Sequence, residues 1–270
     1  MVQYDIKSLQ TRILGVLDAV DAACREHGLT YYLWAGTMLG AVRHKGFIPW
    51  DDDADIAMPR EDYDRLLAHP EWLPEPFELV CAENDSSYPL PFAKVQDAST
   101  TIIERMHLKF LGGIYIDVFP LDGVPESAIV RRLHFAKYQW YKKILYYIFR
   151  DPYKHGRGPG CVVPLLCRKL FTRQGVQERI RAVMRKYSYS GSRLVADYDD
   201  GMRGVMEKHI LGAPTPCVFE GHELLGVEQW DTYLGRKYGD YMTIPKGNDR
   251  HQHKFHYVDL ERPYRESAAD

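Results

Sequence analysis

The stretch that most constrains this chain is Trp50-Asp51-Asp52-Asp53-Ala54-Asp55-Ile56-Ala57-Met58. Asp is depleted in strands, yet apolar residues at 54, 56 and 58 alternate with Asp53, Asp55 and Ala57, which is the period of a strand. That period puts Asp53 and Asp55 on one face, joined by Asp51 if the strand begins early, with Asp52 pointing the other way. Carboxylates this close raise one another's pKa unless something positive sits between them. Mg²⁺ meets that need, being a hard ion held by one or two carboxylates plus substrate phosphate oxygens. An acidic, solvated loop is the competing reading. Upstream, Tyr31–Ala35 reads as a strand, and Gly36-Thr37 opens a short helical pattern with Met38, Leu39 and Val42 on its apolar face. Thr37 suits the cap of that helix, and the free N–H groups of a helix start suit a phosphate. A phosphate nest followed by paired Asp residues describes a metal-dependent site for nucleoside di- or triphosphates.

The segment GTMLGAVRHKGFIPWDDDADIAMPREDYDRLL (36–67) strongly resembles the LicD family, named for bacterial phosphocholine transferases of surface polysaccharides. That family falls in the nucleotidyltransferase-fold superfamily, whose motif is a Gly-(Gly/Ser) helix start followed by Asp-x-Asp. FAKVQDASTTIIE, GGIYIDVFPLDGVP and YLGRKYGDYMTIP agree in order, so the resemblance covers about residues 25 to 255. It is specific in the first segment and looser between 125 and 190.

The resemblance implies an α/β fold: a mixed sheet of nucleotidyltransferase type flanked by helices, with a helical C-terminal half. A catalytic core over 1–125 and a mainly helical portion over 126–270 follow, the two forming either two units or one continuous domain. The implied activity is transfer of a phosphoalcohol, phosphocholine first, from a CDP-activated donor to a hydroxyl of a cell-surface glycan. Asp53, Asp55 and Asp117 are the implied catalytic and metal-binding residues, with Mg²⁺ or Mn²⁺ as the ion. Asp117 either completes the metal shell or takes the acceptor's proton. Gly36, Thr37, Arg43, Lys94 and His253 are the implied substrate contacts. A choline head would rest on aromatic faces, with Trp34, Trp50 and Tyr88 nearby in sequence. Two alternatives stay open: a true nucleotidyltransferase that releases pyrophosphate from an NTP, and a non-catalytic protein of glycan assembly.

The formal net charge of −2, from 35 basic and 37 acidic residues, gives no global attraction to nucleic acid. Five cysteines without a CxxC pair suggest neither a zinc site nor a disulfide framework, and so a cytoplasmic protein with reduced thiols. No signal-like N-terminus or spanning run is evident. The expectation is a soluble protein, at most peripheral to the inner membrane face.

Residues 5–27 carry a helical stripe of Ile6, Leu9, Ile13, Leu14, Leu17, Val20 and Ala23, ended by Gly28. Phe92–Asp97 and Gly113–Pro120 read as strands, the second with Asp117 in its middle, whereas Asp122 fits a turn cap. From 131 to 173 there are eleven Lys and Arg residues and a single acid, Asp151, interleaved with aromatics. Such a helical segment, in particular 131–157, fits a membrane surface, a docking face for an anionic acceptor, or a core helix with snorkelling stems. Near the end, His251 and His253 are two apart, which excludes a helical metal pair. Contact with phosphate or acceptor is assigned to His253 and solvent exposure to His251.

Overall fold

The computed structural model describes residues 4–104, 111–154, 156–246, 252, 253 and 255–267. Arg250, His251 and Lys254 lie outside the described residues, and with them the expectation for His251.

The first helix, α1 (Ile6–His27), begins where Asp5 accepts a hydrogen bond from the Ser8 backbone N–H and ends at Gly28 in the left-handed conformation (φ 61°). Its stripe Leu9, Ile13, Leu17, Val20 and Ala23 is buried against the sheet. There follow β1 (Tyr32–Leu33), α2 (Ala35–His44), β2 (Asp55–Pro59), α3 (Arg60–Ala68), β3 (Phe77–Val80), β4 (Ala93–Ile103) and β5 (Gly112–Gly123). The second half holds α4 (Ala128–Phe149), α5 (Val162–Leu170), α6 (Arg173–Met184), β6 (Leu194–Asp197), β7 (Val205–Glu207) and α7 (Lys208–Leu211). It ends with the hairpin β8 (Thr215–Phe219) and β9 (His222–Gly226), then α8 (Trp230–Tyr238), β10 (Tyr257–Asp259) and α9 (Tyr264–Ser267).

β5 is the spine of a mixed sheet. It pairs in parallel with β2 and antiparallel with β4, and the path runs β1-β2-β5-β4-β10. A bulge interrupts the β4–β5 register between Asp97 and Ile102. Gly113 faces that bulge, where a Cβ would overlap the Asp97 carbonyl oxygen, so only glycine fits.

The second half is mainly helical, yet it also adds strands to this sheet. β6 pairs with the far end of β5, β7 with β6, and β10 with β4. The sheet therefore crosses the expected boundary at 125, because short strands far apart in sequence carry no local signature strong enough to announce their partners. One core cluster surrounds the sheet and runs in sequence from Leu9 to Phe255. A second lies between α4 and α6, built on Phe135, Tyr138, Ile148, Val176, Ile180 and Val183.

Asp122 is not a turn cap. It sits inside β5, fully buried, and takes two hydrogen bonds from Arg60 at the head of α3: Nε to Oδ1 at 2.8 Å and a terminal nitrogen to Oδ2 at 2.5 Å. A carboxylate on a buried strand needs such a partner, and this one arrives from 62 residues away.

Candidate active site

Three neighbouring strands present three charged residues in one row. Asp55 on β2 is the ladder partner of Asp117 on β5, and Asp117 is the partner of Lys94 on β4. Direct partners in a sheet project to the same face, and all three line one cleft of about 280 Å³. Lys94 is 2% exposed; its Nζ donates to Asp117 Oδ1 at 2.5 Å and lies 3.6 Å from Glu104 Oε2. The same ammonium sits 3.2 Å from the centroid of the Tyr115 ring, a cation–π contact that helps offset its burial.

The acidic run ahead of β2 splits as its period implies. Asp53 enters the cleft, whereas Asp52 is buried away from it. Asp52 accepts from the Tyr4 hydroxyl (3.0 Å), the His253 backbone N–H (2.9 Å) and, at 3.0 Å, contacts His253 Nδ1. His253 thus reaches the cleft wall by anchoring on Asp52, with Nδ1 also 3.7 Å from Asp53 Oδ2.

Thr37 does not cap α2. The helix starts two residues earlier, after Trp34, and Thr37 is buried inside it. Its Oγ1 accepts the Asp55 backbone N–H at 2.7 Å, so the hydroxyl clamps the start of β2. Ala35, at the turn into α2, holds φ 45°, a left-handed conformation that costs a non-glycine residue about 1 kcal/mol or more. Its N–H donates to the Tyr233 hydroxyl at 2.9 Å. Gly36 lies against Asp51: a Cβ there would come 3.2 Å from Asp51 Oδ2. Arg43 is outside the cleft lining and donates to the Tyr241 carbonyl at 2.8 Å. Of the three aromatic residues near in sequence, Trp34 lines the cleft, and Phe92 and Phe119 join it there.

The opposite wall was not legible from sequence. Asp197 at the end of β6 and Asp199 and Asp200 after it line the cleft, with Lys142 from α4 paired to Asp199 and Lys237 from α8 paired to Asp200. Trp34 Nε1 donates to Asp197 Oδ2 at 3.1 Å and ties the two walls together. The available signal was Leu194-Val195-Ala196-Asp197-Tyr198-Asp199-Asp200, apolar residues running into clustered Asp as in the first run.

Burial and mutual repulsion push the carboxylates towards their protonated forms. Burial, then Asp53 and Asp52, raises Asp51 from 3.8 to about 8. Burial, then Asp53, Asp117 and Asp51, holds Asp55 well above the usual range. Asp117 rises to about 6 through burial, partly countered by Lys94, and Asp197 to about 7 through burial and its Asp neighbours. His253 moves the other way along the charge scale. Its hydrogen bond to Asp52, with Asp53 adding attraction, lifts the imidazole to about 9 and keeps it cationic at neutral pH.

Among the described residues, Asp52, Asp53 and His253 form the three-residue group whose ligand atoms all lie within 4.8 Å of one another. Within that group Asp52 is already engaged by the Tyr4 hydroxyl and by His253. The carboxylates that face the cleft are Asp53 and Asp55, with Asp117 beside them. An all-oxygen acidic set of this kind fits a hard divalent cation.

Known proteins are similar to this sequence. Residues 28–150 match the model of the LicD family, described as LicD/FKTN/FKRP, nucleotidyltransferase domain. Residues 28–150 are a LicD domain. The matched span contains Asp53, Asp55, Lys94, Asp117 and Lys142, while Asp197, Lys237 and His253 lie beyond it. The chain is 27% identical over 274 residues to the lipopolysaccharide cholinephosphotransferase LicD of Haemophilus influenzae, covering 94% of this chain and 97% of that protein. Shorter matches join the LicD domain to other proteins. Human ribitol 5-phosphate transferase FKRP is 42% identical over 50 residues, 18% of this chain and 9% of that protein. An uncharacterized protein of Rickettsia prowazekii is 51% identical over 37 residues, 14% of each.

Proposed function

We propose that this LicD-domain chain transfers a phosphoalcohol, phosphocholine first, from a CDP-activated donor to a hydroxyl of a cell-surface glycan. The observation that carries the reading is the row Asp55–Asp117–Lys94 opening into one cleft with Asp53. Similarity to a cholinephosphotransferase over nearly the whole chain supports the choice of transferred group, and a sheet of nucleotidyltransferase type is part of the same reading.

In this reading Asp53 and Asp55 hold Mg²⁺ or Mn²⁺, which when bound offsets the charge of the donor diphosphate and of the departing CMP. The acceptor oxygen forms its bond to the phosphorus that carries the alcohol, and the bond from that phosphorus to the bridging oxygen breaks, releasing CMP with the electron pair. Asp117 takes the hydroxyl proton. Its value of about 6 leaves it ionised at neutral pH yet basic enough to accept. Lys94 fixes the Asp117 carboxylate in position through their 2.5 Å bond. The N-terminus of α2, around Gly36, faces the diphosphate. The trimethylammonium head rests on Trp34, Phe92 or Phe119, each such contact contributing about 0.5–2 kcal/mol. Intact carboxylates on both walls argue against a purely scaffolding role.

Incubation with CDP-choline, CDP-ethanolamine, CDP-ribitol and CDP-glycerol, each with Mg²⁺ and a glycan acceptor, tests the proposal through CMP release. Release from at least one donor, abolished by EDTA, is the expected result. Pyrophosphate from NTPs with no CDP-alcohol turned over would assign the cleft to nucleotidyl transfer instead.

A further inference from the structure

Helix α4 carries two apolar lines, one packed into the protein and one facing away from it. Its buried face is Phe135, Tyr138, Leu145 and Phe149, packed on α6 and its surroundings. Ile129, Leu133, Ala136 and Trp140 are spaced i, i+4, i+7 and i+11, so they form one line along the helix. That line faces solvent: Ile129 is 72% exposed, Leu133 67% and Trp140 64%. Arg132 and Lys143 flank it on one side and Lys137 on the other. Solvated helix surfaces normally carry polar residues at such positions. α5, tied to the end of α4 where Arg168 Nε donates to the Ile148 carbonyl, exposes Val162, Val163, Leu165, Leu166 and Leu170 as well.

A second feature adjoins the first. Between α4 and α6 lies a pocket of about 300 Å³ lined by Lys137, Arg179 and Lys186, and no acidic side chain lines it. The exposed Val130 and Leu133 line it as well, so the pocket adjoins the exposed apolar line. His134, which also lines it, is held below the ordinary imidazole range by burial and by Lys186 and Lys137. Three cations in a pocket with no acid among its described lining residues suit an anion with several oxygens.

We propose that α4 and α5 dock on an anionic lipid bilayer, with a lipid headgroup phosphate seated among Lys137, Arg179 and Lys186. Trp, Leu and Ile flanked by Lys and Arg is the composition that lies in a membrane interface, while no helix among the described residues is long and apolar enough to cross a membrane. Charge argues against a second copy as the occupant. A self-complementary dimer would press residues 131–173, with eleven cations and the single acid Asp151, against themselves. The docking face is independent of the transfer chemistry.

The test is co-sedimentation of the full chain with vesicles of phosphatidylglycerol and phosphatidylcholine in equal parts, against phosphatidylcholine alone. Binding to the anionic vesicles, released by raised salt, is expected. Removal of each pocket charge should weaken partitioning about fivefold, the fold-change equivalent to about 1 kcal/mol. Lys137→Ala/Arg179→Ala/Lys186→Ala should therefore lose on the order of a hundredfold. Leu133→Asp/Trp140→Asp, both at exposed sites, should weaken binding while leaving the melting temperature unchanged. Equal binding to both vesicle types, or none to either, overturns the proposal. So does a concentration-dependent dimer abolished by Leu133→Asp, or protection of the pocket by inorganic phosphate in a protein that ignores vesicles.

Discussion

Asp55 and Asp117 are direct partners across the parallel ladder between β2 and β5. Two buried carboxylates on adjacent strands repel, and the sheet holds them together at a cost to stability. Asparagine at either position keeps the shape and removes the repulsion. Asp55→Asn and Asp117→Asn should each lower turnover by at least about a hundredfold, with a melting temperature equal to or above that of the parent. Loss of activity accompanied by loss of fold would mean that these residues serve packing.

Protonation of the cleft sets the pH dependence of stability. Asp51 (about 8), Asp117 (about 6) and Asp197 (about 7) are raised from 3.8, and His253 (about 9) from 6.5. Each binds a proton more tightly folded than unfolded. Its stabilisation is complete below the ordinary value and is lost as pH rises through the raised one. The melting temperature in EDTA should thus fall between about pH 5 and pH 9. Stabilisation by Mg²⁺ should grow over the same interval, because the ion takes the place of the protons. A flat or rising curve in EDTA contradicts this balance of charge.

Lys94 is the cation nearest Asp117. In Lys94→Met the carboxyl keeps Glu104 as a neighbour but loses its ammonium, so its proton affinity rises above the present value. The acidic limb of kcat against pH should move upward. At a fixed pH below the new limb, activity should fall about tenfold for every pH unit that the limb has moved. An unmoved limb would remove Asp117 from proton transfer.

The Arg60–Asp122 pair is a structural counterpart, far from the chemistry. Asp122→Ala leaves the buried guanidinium with its 3.4 Å contact to Asp64 as the remaining ion pair. The expected cost is about 3–5 kcal/mol in denaturant unfolding. A loss below about 1 kcal/mol would show that Asp64 or water replaces the partner.

The features legible in the sequence are the local ones. Asp5, Ser8 and Gly28 bound α1 through contacts within one turn, and the alternation around Asp53, Asp55 and Asp117 follows from strand period alone. What escaped depends on distance along the chain. His253 finds Asp52 across 201 residues, and Trp34 finds Asp197 across 163. β6 and β10 are short and take their identity from β5 and β4. Thr37 reads as a cap in sequence but is none, because α2 begins at Ala35 in a left-handed conformation that no local pattern of residue types announces.

Attack by the acceptor on the phosphorus bearing the alcohol is the central claim. CDP-choline labelled with ³²P at one phosphorus or the other, given to the enzyme with Mg²⁺ and a glycan acceptor, tests it directly. Label on the choline-bearing phosphorus should move to the glycan, while label on the cytidine-bearing phosphorus should leave as CMP. Cytidine-side label on the glycan would contradict it.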